Sequence, residues 1–161
     1  MPNFTINFYL RLIFLISLVV IGSAYFIELV LGHQPCNLCK IERIPYLLSL
    51  IILIVNYKLK KNEKLLVLLL IFIFIFSLLL SMYHFGIEQG FFQESLVCNL
   101  TDNTDILSKD KLLKELQNKT VNCKDVTFKI FGFSLTTINM FLSLLLIILL
   151  TKIFTSYEKN R

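Results

Sequence analysis

The chain has 161 residues, 56% of them hydrophobic and 17% charged, with a mean hydropathy of +0.73. Soluble domains hold about 25% charged residues, so this composition points to a membrane, and the length suits one compact unit rather than several. Sixteen basic side chains against eleven acidic ones leave a net charge of +5. That excess gathers in short segments between apolar runs, without a phosphate-binding glycine loop or a basic stripe, which excludes a nucleic-acid role.

Four apolar segments predict an all-α membrane protein, a four-transmembrane-helix bundle making one domain over residues 1–161. The expected spans are 10–31, 42–57, 65–84 and 134–154. A helix needs roughly 20 apolar residues to cross the hydrocarbon core. The first, third and fourth runs reach that length, and the first is interrupted only by Glu28 near its far end. It is longer than the apolar core of a secretory signal, and "GSA" at Gly22–Ala24 is a poor cleavage site, so an uncleaved helix is expected.

The second segment is short. Its uninterrupted apolar run, Ile44–Tyr57, would have to extend backwards through Arg43 and Glu42 towards Cys39 to cross. Pro45 is tolerable in a first helical turn, where its missing N–H is no loss. On that reading Cys36 and Cys39 stand at the helix N-terminus, at the boundary between water and lipid.

Orientation follows from lysine and arginine in the short flanks. Lys58, Lys60, Lys61 and Lys64 lie between the second and third segments, Arg11 is at the start of the first, and Lys152, Lys159 and Arg161 close the chain. All fall on one side of a four-span topology, which predicts cytoplasmic N- and C-termini and a cytoplasmic loop at 58–64. Loops 32–41 and 85–133 then face outward, and the long one has six lysines against seven acids, so it offers no opposing bias. Within it, "ILSKDKLLKELQNK" (Ile106–Lys119) patterns as a short amphipathic helix lying on the bilayer surface.

All four cysteines, Cys36, Cys39, Cys98 and Cys123, fall on the outer side, where disulfides persist. Nearness in sequence favours 36–39 with 98–123, although four cysteines permit three connectivities. A thiolate at a helix N-terminus is favoured by unpaired N–H groups and the helix dipole. Continued as a helix, the chain would bring Arg43 onto the face of Cys36 and Cys39 and turn Glu42 elsewhere. The plainer reading of Arg43 is an interfacial side chain reaching for water.

A zinc site would need a second close pair, but the remaining cysteines are 25 apart and His33 is a stray candidate, so no metal is expected. Haem attachment would need histidine where Lys40 stands. Cys98 and Cys123 read either as a staple of the long loop or, tethered near a CxxC pair, as partners in exchange. His84 and Glu88, four apart where the third span ends, read as an interfacial polar cap or as a polar lining near Arg43.

Taken together, "PCNLCKIERIPY", "YHFGIEQGFF", two spaced loop cysteines and "VNCKDVTFKIFGFSLTTINM" resemble the DsbB family, bacterial inner-membrane thiol oxidases that pass electrons to quinone. The resemblance implies disulfides Cys36–Cys39 and Cys98–Cys123. It makes Cys39 the sulfur nearest the quinone (ubiquinone or menaquinone) and Cys98 the one that forms the mixed disulfide with a periplasmic DsbA-type partner. Arg43 matches the family's quinone-associated arginine, with Glu42 at the usual glutamine or glutamate before it. His84 matches a quinone-region histidine more loosely. Ile138 stands before Asn139 where relatives often carry tryptophan. Similar cysteines also serve quinone-linked reductases of the vitamin-K-epoxide type, and a non-catalytic membrane protein with stapled loops is the remaining alternative.

Overall fold

A computed structural model describes residues 3–59, 63–93, 98, 123, 124, 128–130 and 132–159. The surface helix expected over 106–119 lies outside the described residues. The chain is mostly helical, with long helices α1 (Asn3–Leu29), α3 (Ile44–Leu59), α4 (Glu63–Glu88) and α5 (Leu135–Lys159). A short helix, α2 (Asn37–Ile41), precedes α3, and a two-residue-stranded hairpin, β1 (Lys129–Ile130) with β2 (Phe133–Ser134), leads directly into α5. The strands are antiparallel, Lys129 opposite Ser134 and Ile130 opposite Phe133. Gly132 turns the hairpin at φ +86°, a left-handed conformation that costs glycine nothing.

Each helix end has a local cause. At the end of α4, Gly90 takes φ +78°, the Gly90 N–H reaches the Ile87 carbonyl, and the Phe91 N–H reaches back to Gly86 at 2.8 Å. That closes carbonyls the helix itself leaves unpaired. Between α2 and α3 the reason is Pro45. With no N–H there, Ile41 loses its normal helical donor, and the chain makes a turn at Glu42–Arg43. The Arg43 N–H bonds Lys40 one residue short of helical register, and regular bonding restarts with Leu47 N–H to Arg43. The second segment is therefore two helices joined by a turn, not the continuous helix through Glu42 and Arg43 expected from sequence.

Three helices among the described residues are long and apolar enough to cross a membrane: Asn7–Leu29 within α1, Lys64–Glu88 within α4 and Leu135–Ser156 within α5. At 16 residues, α3 is shorter, about 24 Å at 1.5 Å per residue. It packs between α1 and α4, while α4 packs on α5 and α5 closes back on α1. The packed interior is built from Ile13, Tyr46, Leu53, Leu70, Phe74, Leu146 and Leu150. Leu15, Val19, Phe72, Phe76, Phe141 and Ile148 point outward and stay exposed, an apolar exterior suited to lipid.

Serines knit the helices at the same level. Ser17 and Ser49 pair across α1 and α3 at 3.1 Å, and Ser77 and Ser143 across α4 and α5 at 3.0 Å, all fully buried. Small side chains let helix backbones approach where lipid gives no hydrophobic drive for association. At one end of the bundle the Lys64 ammonium sits 5.4 Å from the centre of the Phe154 ring. The cysteines lie at the other end.

Replacing Ser77 by leucine is expected to force α4 from α5 and cost at least about 2 kcal/mol by overpacking. Ser77→Ala removes one interhelical hydrogen bond and should cost about 0.6 kcal/mol. Thermal unfolding of the two variants in detergent checks the order.

Candidate functional site

The site begins at Cys36. It is the N-cap of α2, in extended backbone conformation, and its sulfur accepts the Cys39 N–H at 3.0 Å. The cap thus uses a sulfur where serine or aspartate would normally sit, and it brings the two cysteines to the same turn. Their sulfurs are joined, with Cα atoms 5.1 Å apart. Cys36 is buried, whereas Cys39 is half-buried and is the accessible sulfur of the pair.

His84, on α4, places Nε2 3.7 Å from Cys36 Sγ. Its other nitrogen, Nδ1, is 2.9 Å from Glu42 Oε1 and 3.2 Å from Thr136 Oγ1. Asn139 donates to the second Glu42 oxygen at 3.1 Å, so the carboxylate accepts on both sides. Thr136 donates to Glu88 Oε1 at 2.6 Å, which leaves the Thr136 oxygen to accept. Both neighbours of Nδ1 are therefore acceptors. With the pair reduced and Thr136 donating to Glu88, the proton belongs on Nδ1 and the Nε2 lone pair faces Cys36. A Thr136 hydroxyl turned onto Nδ1 instead leaves the proton on Nε2.

A histidine oriented by a carboxylate and aimed at a sulfur is the arrangement that activates a thiol as nucleophile. With the pair reduced, the Cys36 S–H can donate to Nε2 while Glu42 holds the ring in place. His84 is 1% exposed, so bulk water does not compete for that proton.

The expectation that Arg43 shares a face with the cysteines and that Glu42 points away is reversed by the turn. Glu42 swings towards His84, while Arg43 swings towards α1. There its guanidinium pairs with Glu28 and lies 5.0 Å from the centre of the Tyr25 ring. An isolated acid in an apolar run was the available signal for Glu28. Nothing local marks Thr136 or Asn139. Tyr46, directly after Pro45, donates to Asn139 and also bonds Ser143, tying the start of α3 to α5.

Cys98 and Cys123 are bonded to each other, with Cα atoms 5.8 Å apart. Sequence suggested a loop without a core to hold them. Instead they are 6% and 3% exposed and share one apolar cluster with Cys36, Leu38 and Ile87. His33 packs its ring 5.1 Å from that of Phe128, a second contact between the two cysteine-bearing segments. Ligand atoms of Cys36, Cys39 and His84 all lie within 4.8 Å of one another. As a disulfide the pair offers no thiolate, so only its reduced form has the character of a metal-ligand set.

A family model for disulfide bond formation protein DsbB matches residues 7–153 of the chain. The chain belongs to the DsbB family. It is also 28% identical over 148 residues to Uncharacterized protein RP370 of Rickettsia prowazekii (strain Madrid E), a match covering 91% of this chain and 86% of that protein. DsbB membership makes the protein a membrane protein of the disulfide oxidoreductase class, with a function in disulfide bond formation. In this DsbB chain His84 Nε2 faces the buried Cys36 at 3.7 Å, with the sulfur of the half-buried Cys39 in the same group of three.

His84→Ala should slow alkylation of reduced Cys36 by iodoacetamide at neutral pH by about 100-fold, the scale of a lost general base. Mass spectrometry of each cysteine over time measures it, with Cys39 as the internal reference.

Proposed function

We propose that the protein is a bacterial inner-membrane thiol oxidase, which reoxidises a periplasmic DsbA-type dithiol protein and passes the electrons to membrane quinone. The observation that carries this reading is the packing of both disulfides against one apolar cluster, with Cys36, Cys98 and Cys123 buried in it and Cys39 at its edge. A stapled loop needs no such neighbour, whereas exchange between pairs requires it.

In the proposed sequence, a partner thiolate attacks Cys98 and leaves as a disulfide, with Cys98 and Cys123 reduced. Their thiolate then opens Cys36–Cys39, and Cys36 collects a proton from His84. Exchange depends on thiolate character at the attacking sulfur and on the leaving thiol. The buried, histidine-paired Cys36 and the accessible Cys39 divide these roles. Cys39 is left as the sulfur facing the acceptor, and Cys36 as the one that re-forms the disulfide.

The residues around Cys39 fit a quinone. Arg43 uses one N–H group on Glu28 and retains further donors in its guanidinium. Tyr25 and Ile44 present exposed surface nearby in sequence and space to Arg43, and Leu47 and Leu48 continue it along α3. A quinone supplies a two-electron, two-proton acceptor. Arg43 would orient its carbonyl and Glu28 would hold Arg43 in place.

The four-span topology with both termini in the cytoplasm remains part of this proposal. It rests on the lysine-rich sequence at 58–64, next to one bundle end, and the cysteines at the other. With α2 and the turn counted, residues 37–59 give the second segment 23 residues, enough for a crossing by length.

Purified protein with quinone should oxidise a reduced DsbA-type partner catalytically, and Cys39→Ser should abolish turnover. Activity retained in Cys39→Ser would overturn the reading. Arg43→Ala should lower quinone retained through purification by about tenfold, the loss of one charged hydrogen bond, as measured by solvent extraction.

A further inference from the structure

His84 is too deeply buried to exchange a proton with water directly, yet each oxidation of the Cys36–Cys39 dithiol must release the Cys36 proton. Two carboxylates flank the ring, and they differ. Glu42 is buried, and both its oxygens are held, by His84 and by Asn139. Its place is to orient the ring. Glu88 is half-buried at the last residue of α4, where the chain passes into exposed Gln89 and Gly90.

Between His84 and Glu88 stands the Thr136 hydroxyl, 3.2 Å from Nδ1 and 2.6 Å from Glu88 Oε1. Ser134 donates to the other Glu88 oxygen at 2.7 Å and so orients the carboxylate. Among the described residues the titratable groups facing His84 are Cys36 and, within 4.8 Å, Cys39 from the CxxC turn, Glu42 from the turn before α3 and, through Thr136, Glu88. The β2–α5 junction contributes only hydroxyls.

We infer that Thr136 and Glu88 form the proton outlet of the site, carrying the Cys36 proton from His84 to the outer water layer. This rests on the oxidase reading above. The polarity is continuous: S–H to Nε2, Nδ1–H to the Thr136 oxygen, and the Thr136 O–H to the Glu88 carboxylate. In one passage the Cys36 S–H bond breaks and an N–H forms at Nε2. The Nδ1–H bond breaks as Thr136 gains that proton and passes its own to Glu88, which releases it to water.

Oxidation of the dithiol yields two electrons and two protons. The half-buried Cys39 gives its proton to water directly. The quinone acceptor takes both electrons, with two protons drawn from water, which closes the balance. When the Cys36–Cys39 disulfide is next reduced the row runs backward. Nε2–H returns a proton to Cys36, Nδ1 is refilled from Glu88, and the histidine regains its starting tautomer.

The test uses the full-length protein in detergent with its Cys36–Cys39 pair reduced. Reoxidation is followed in a stopped-flow with either ubiquinone or the small aromatic disulfide dithiodipyridine as acceptor. Glu88→Gln and Thr136→Val should each slow the reaction by about tenfold to 100-fold with both acceptors, the range for a lost proton-transfer group. Added imidazole should restore the rate in proportion to its concentration, and Thr136→Ser should keep the native rate. A merely structural role for Glu88 predicts slowing that imidazole does not relieve. That result, or an unchanged rate in Glu88→Gln, overturns the outlet. Failure of the wild-type protein with ubiquinone alone strikes the oxidase reading, while the dithiodipyridine arm still decides the outlet.

Discussion

The hydrogen bond between Glu42 and His84 is the constraint on which the site depends. It joins the turn between α2 and α3 to the cysteine end of α4 and holds the histidine ring by the nitrogen away from the sulfur. Asn139 holds the same carboxylate from α5, so two helices converge on the one acid of the turn. A buried carboxylate is costly unless its oxygens are paired, and here both are. Tyr46 extends the linkage, binding Asn139 and Ser143 and so coupling the cysteine end to the serine contacts of the bundle interior.

The two disulfides differ in surroundings more than in chemistry. Cys36, Cys98 and Cys123 pack together with Leu38 and Ile87, while Cys39 is only half-buried beside that cluster. Thiolate in an apolar cluster is disfavoured unless something takes its proton. Within the cluster that provision exists at Cys36, through His84. The cation is elsewhere, with Arg43 drawn towards Glu28 and Tyr25 on α1. Glu42 and Arg43 therefore point to different helices, one to His84 on α4 and the other to Glu28 on α1, a division produced by the single change of direction at the turn they share.

Much of this was legible without coordinates. The long apolar runs correspond to α1, α4 and α5, and the paired cysteines do open the second segment. His84 and Glu88 are separated by one helical turn, and both belong to the polar group at that end. What was not legible was the phase across Pro45. Counting helical turns carries Arg43 onto the cysteine face, but the proline withholds a donor from Ile41, and the lost register exchanges the directions of residues 42 and 43. Cys98 and Cys123 also gave no local sign of a core, because among the described residues the side chains packed with them belong to the CxxC turn, α2 and α4.

By itself the sequence determined which long segments are helical and apolar and which end of the bundle carries the cysteines. Hydropathy, glycine and proline act over a few residues, so these features can be read locally. Only the tertiary structure decided which groups meet. The histidine's carboxylate lies 42 positions from it, and that carboxylate's asparagine lies 97 away. Such contacts follow from how helices pack against one another, and packing is a property of all the helices together rather than of any one segment.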